Sequence, residues 1–161
     1  MALFDFPNPV NEVSARLVAT GVVAMGIVTI AFDLRWMTLV LAYGFVARVV
    51  SGPTLSPLGQ LVTRVVVPRL RVEPRLVPGP PKRFAQGIGA AFTVTAAVLS
   101  YGYGQLGAAQ TLLGALVAAA ALEAFAGVCL GCRAFAVLMR VGVIPASVCE
   151  SCDDIWGRAA A

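Results

Sequence analysis

Apolar runs about as long as a membrane is thick constrain this chain more than any other feature. The first, about Val13–Phe32, carries no charge after Arg16. At ~1.5 Å per residue, some twenty helical residues cross a hydrocarbon core of ~30 Å. Runs of the same character follow at about 36–50, 84–103 and 111–132, the second shorter and holding Arg48 near its end. Backbone in lipid has to satisfy its polar groups internally, so these runs predict helices. Composition agrees: 59% of residues are hydrophobic and 12% charged, against roughly 45–50% and 25% in soluble domains. The expected fold is all-α, a single integral membrane bundle of about four transmembrane helices.

The connections are equally legible. Asn11 is placed to cap the first helix, with Glu12 in its first turn and Arg16 four residues on as a candidate ion-pair partner. The N-terminus lacks a basic leader and holds Asp5, Pro7, Pro9 and Glu12, so no cleavable signal is expected there. Asp33-Leu34-Arg35 makes a tight turn, and Trp36 an interfacial anchor. Gly52-Pro53 and Ser56-Pro57 break the chain before Leu58, Leu61, Val62, Val65 and Val66, whose spacing predicts an amphipathic helix on the membrane surface. Pro68, Pro74, Pro78, Pro80 and Pro81 predict extended chain thereafter. Gly87, Gly89 and Ala91 are small enough for a neighbouring helix to approach closely, and Tyr101 and Tyr103 suit an aromatic belt. The tail at 133–161 holds Arg140, Pro145 and Asp153-Asp154.

Basic residues set the expected orientation. Arg64, Arg69, Arg71, Arg75, Lys82 and Arg83 crowd the 51–83 loop, whereas the outer turns hold only Arg35. Positive-inside logic places that loop, both termini and all four cysteines at the cytoplasmic face. Arg48 is expected to snorkel toward the interface. The net charge of +4 belongs to membrane orientation; no basic module with aromatic platforms exists to bind nucleic acid.

There is no histidine, which removes the commonest general base and metal ligand. Attention falls on Cys129-Leu130-Gly131-Cys132 and Cys149-Glu150-Ser151-Cys152, which together read Cys-x2-Cys-x16-Cys-x2-Cys. Three chemistries use that pattern. Two thiols three apart on a helix can form and release a disulfide, or pass sulfur. Four thiolates at this spacing can hold a structural zinc without histidine. Buried cysteines can also be inert packing. Glu123 stands out because a carboxylate within a spanning helix costs ~2.5–3.5 kcal/mol and calls for a partner; Arg48 and Arg16 are the candidates. A helix continuous to Cys132 would point Glu123 away from Cys129 and Cys132, by about 240° and 180°.

Several of these features resemble a bacterial integral-membrane family catalogued as domain of unknown function 4395. They are Val10-Asn11-Glu12 with Arg16, Arg48 with Gly52-Pro53 and Ser56-Pro57-Leu58, Pro80-Pro81-Lys82-Arg83-Phe84-Ala85 with Gly87-Ile88-Gly89, and Glu123, Gly127 and Cys129-Leu130-Gly131-Cys132. The resemblance spans roughly residues 8–135. It implies a compact four-helix protein of the bacterial cytoplasmic membrane that keeps company with thioredoxin-like and rhodanese-like proteins. The family pattern includes Cys129 and Cys132 but not Cys149 and Cys152. The leading expectation is a thiol–disulfide or sulfur-transfer relay with Cys129 and Cys132 as the exchanging pair and no cofactor. Its rivals are a membrane scaffold with packing or zinc-clip cysteines and a small-molecule transporter lined by Glu123 and Arg48.

Overall fold

The computed structural model describes residues 6–149 together with Cys152. The first helix, α1 (Glu12–Ala31), starts where Asn11 accepts a hydrogen bond from the Val13 N–H at 3.0 Å. It ends at a turn in which Asp33 takes a φ of 50°, and α2 (Arg35–Ser51) returns to Gly52. After the Pro-rich loop, α5 (Gly79–Tyr101) and α6 (Leu106–Ala121) form a second antiparallel pair, and α6 runs on as a π-helical turn over Leu122–Ala126. A shorter helix, α7 (Leu130–Arg140), folds back against α5. α2 lies along α5, and α1 lies along α6.

Among the described residues, three helices are long and apolar enough to cross a membrane: Glu12–Ala31, Gly79–Tyr101 and Leu106–Ala126. α2 has 17 residues and at ~1.5 Å each stops just short of a ~30 Å core. The surface of the bundle is apolar where lipid would lie, with Leu39, Tyr43, Val94 and Val98 all exposed. Inside, Val22, Leu41, Phe45, Ala96, Leu113 and Leu116 form one core. Its buried hydroxyls turn back on their own helices: Thr93 donates to the Gly89 carbonyl at 2.8 Å and Ser51 to the Ala47 carbonyl at 2.9 Å.

The loop between the pairs differs in detail from the expectation. A helical stretch forms through α3 (Pro57–Leu61), a π-helical turn (Val62–Val66) and α4 (Val67–Leu70), so Pro68 lies in a helix. It leaves Leu61 and Val65 exposed and buries Gly59 and Val62. Pro80 and Pro81 likewise sit inside the first turn of α5, where a missing N–H breaks no helical bond. A two-residue antiparallel pairing joins β1 (Val10–Asn11) to β2 (Leu76–Val77). That pairing corrects the expected Glu12–Arg16 contact. It brings Arg75 alongside Glu12, and the two form an ion pair at 3.1 Å.

The ends of the bundle differ in kind. At one end Asp33 accepts a hydrogen bond from Gln110, clasping the α1–α2 turn to α6, with Trp36, Tyr101 and Tyr103 exposed nearby in the chain. The charged residues Arg16, Arg48, Lys82 and Glu123 gather at the other end, with the Cys129–Cys132 pair.

Candidate functional site

The pair depends on where a helix stops. Gly127 takes a φ of 69°, a left-handed conformation that suits glycine and ends the preceding turn. The chain turns, and Cys129 becomes the N-cap of α7 rather than the end of a continuous span. Its sulfur accepts a hydrogen bond from the Cys132 backbone N–H at 3.3 Å, where the helix N-terminus favours negative charge. The Cys132 thiol also donates to it, with the sulfurs 2.7 Å apart. That separation is closer than two unbonded sulfurs normally lie, and longer than the ~2.05 Å of a bond.

These contacts divide the two thiols. Cys129 is held below the ordinary thiol range, first by the hydrogen bond from the Cys132 side chain; burial and the nearby Glu123 oppose this, while Lys82 and the Cys132 backbone N–H assist. Cys132 is pushed well above that range, first because its thiol is committed to Cys129, then by burial. Of the two, Cys129 is therefore the readier to ionise and Cys132 the readier to keep its proton.

The break at Gly127 also places Glu123, correcting the expectation that it points away from the cysteines. Its charge acts on both sulfurs. Its partner is neither Arg48 nor Arg16 but Lys82, whose Nζ donates to Oε1 at 2.6 Å. Arg16 instead caps the π-helical turn, donating to the Ala124 carbonyl at 3.1–3.2 Å and the Phe125 carbonyl at 3.2 Å. Those carbonyls stand at a helix end without helical partners, and a guanidinium can reach both. Arg48 does not snorkel outward. It is 6% exposed, donates to Gln86 at 2.9 Å and Ser56 at 3.1 Å, and lies 4.4 Å over the Phe45 ring.

Lys82 and Gln86 are side chains of the site that sequence reasoning does not single out, the lysine counting there only among the basic residues of the 51–83 loop. Their four-residue spacing was the available signal: it puts both on one face of α5, with Gly89 three residues further. That face is closely packed. A Cβ on Gly89 would fall 2.2 Å from Phe45, and one on Gly131 would fall 2.5 Å from the Ala85 Cβ. Gly89 thus fills the expected role of a small contact residue. Gly87 has no neighbour within that range.

Cys149 and Cys152 form a disulfide, packed with Phe135 of α7 and with Phe84, Met139 and Ile144. Two of the four sulfurs are therefore bonded to each other rather than available as thiolate ligands. Among the described residues, no group of three or more Cys, Asp or Glu side chains converges as a metal site would. Asp153 and Asp154 lie outside the described residues.

A cavity of about 350 Å³ opens beside the pair. Val22, Phe92 and Leu116 wall its deeper part, and Cys129, Arg48, Gln86 and Glu123 line its polar end. The family described as domain of unknown function (DUF4395) matches residues 10–140. No curated protein and no solved structure matches the chain.

Proposed function

We propose that this chain, which belongs to the domain of unknown function 4395 family, is a membrane thiol–disulfide relay working through Cys129 and Cys132. One observation carries the reading: Cys129 caps α7 and receives hydrogen bonds from both the backbone and the thiol of Cys132. A thiolate stabilised this way is a good leaving group, and stabilising the reduced form makes the oxidised pair the stronger oxidant. In the exchange, the thiolate of a partner dithiol attacks the Cys129 sulfur of the oxidised pair. Cys132 leaves and takes the proton of the partner's second thiol. That thiol, now a thiolate, attacks its own neighbour in the mixed disulfide and expels Cys129 as thiolate. The partner ends as a disulfide and the chain as a dithiol, two electrons richer.

The partner is a protein dithiol of the thioredoxin-like or rhodanese-like kind, and the exchange takes place at the cytoplasmic face of a bacterial inner membrane. Support for that side comes from the basic residues between α2 and α5, which stand at the cysteine end. The second pair, Cys149–Cys152, is a further dithiol station, supported by its packing against Phe135, three residues beyond Cys132.

Thiol titration with parallel metal analysis, on protein purified reduced in detergent, tests the reading. Metal-free protein should form a Cys129–Cys132 disulfide reversibly in glutathione buffers, and Cys129→Ser should abolish this while keeping native helicity. Stoichiometric zinc with thiols that react only after chelation would instead make the cysteines a structural clip. Inert thiols without metal would return them to packing.

A further inference from the structure

A pair that oxidises its partner ends reduced and needs an electron acceptor within reach. Resting on the exchange reading above, we infer that the cavity beside Cys129 binds a quinone, which reoxidises the Cys129–Cys132 dithiol.

Four observations converge on that class of ligand. Cys129 is part of the cavity wall, so an occupant would lie beside the dithiol pair. Its volume, about 350 Å³, falls near the lower end of the ~300–1,000 Å³ usual for small-molecule sites; a substituted six-membered ring fits, and a folded peptide does not. Val22 lies ten residues into α1 and Leu116 ten residues into α6. The apolar part therefore reaches the middle depth of the bundle, where a lipid-soluble molecule resides. Ala115 and Ile88 line the cavity and are exposed on the outer surface of the bundle, giving a ligand with an apolar tail a lateral way in.

The polar end has the chemistry that a quinone requires. Arg48 and Gln86 are hydrogen-bond donors on that wall, held in place by their bond to each other at 2.9 Å and by Ser56. A buried guanidinium beside a carbonyl oxygen stabilises the negative charge that develops as the ring is reduced. The step balances. The Cys129 thiolate and Cys132 thiol join in an S–S bond, releasing two electrons and one proton. The quinone takes both electrons, that proton and a second one from the aqueous end, and leaves as hydroquinone.

The probe is decylubiquinone, mixed anaerobically with the reduced full-length protein in detergent and followed by its ultraviolet absorbance and by free-thiol count. Each quinone reduced should consume two thiols, and Cys129→Ser should stop the reaction. Ala115→Phe should slow quinone reduction by about tenfold or more, because the ring closes the lateral opening, while exchange with oxidised glutathione continues. Ala119→Leu, which narrows the cavity from α6, serves the same purpose should the phenylalanine variant fail to fold. A dithiol that exchanges with glutathione yet leaves decylubiquinone oxidised would overturn the quinone site alone. So would filled-cavity variants that reduce it at the native rate. Failure of the glutathione exchange as well would remove the relay reading and the quinone with it.

Discussion

Replacing Lys82 with methionine keeps most of the side-chain volume and removes the cation that lies 2.6 Å from the Glu123 carboxylate. The two side chains are 10% and 16% exposed, so water cannot take the place of the ammonium group. Removing one partner from a buried pair costs ~3–5 kcal/mol, because the remaining charge stays buried and unmatched. Combining it with Glu123→Gln, which removes that charge too, should return about 1–3 kcal/mol as coupling energy. A second readout separates stability from chemistry. Lys82 is among the groups that lower the Cys129 thiol. A lowered thiol ionises at a pH where ordinary thiols, near ~8.5, remain protonated. Native Cys129 should therefore be alkylated at lower pH than an ordinary cysteine, and the Lys82→Met profile should move upward in pH. Reversible unfolding in mixed micelles gives the first quantity, and iodoacetamide labelling resolved by mass spectrometry gives the second. A Lys82→Met protein within about 0.5 kcal/mol of native, with an unmoved Cys129 profile, would refute the coupling of ion pair and thiol.

Two more outcomes are expected. Gly131→Val should press α7 away from α5 at Ala85, where even a Cβ falls at 2.5 Å; the expected loss is ~1–3 kcal/mol, seen as a lower unfolding midpoint and slower Cys129–Cys132 disulfide formation. Reporters inserted at 71–75 should mark the cytoplasmic side and reporters after Gly104 the opposite one, and the reverse pattern would invert the topology.

The sequence carried the helices well, because long apolar runs between Asn11, Asp33, Gly52 and Gly104 leave few other structures open to the chain. Ends were harder to read. Gly127 stood out only as part of the family motif, yet its left-handed conformation stops the helix and turns Cys129 from a thiol near the end of the last span into an N-cap. Two misplacements in the site follow from that residue: the length of the last span and the bearing of Glu123. Partner choice was illegible for a different reason. Glu12, Arg16, Arg48 and Glu123 were all recognisable as charges in search of partners, but local spacing cannot foresee that β2 delivers Arg75 to Glu12 or that α5 delivers Lys82 to Glu123.

The guanidinium of Arg16 holds the carbonyls just before Gly127 from a different helix. The carboxyl-terminal end of the sixth helix is thus finished off without help from the seventh. The direction change between the two helices therefore falls within residues 127–129. Cys129 thus sits between a helix end tied to α1 and a helix start pressed against α5.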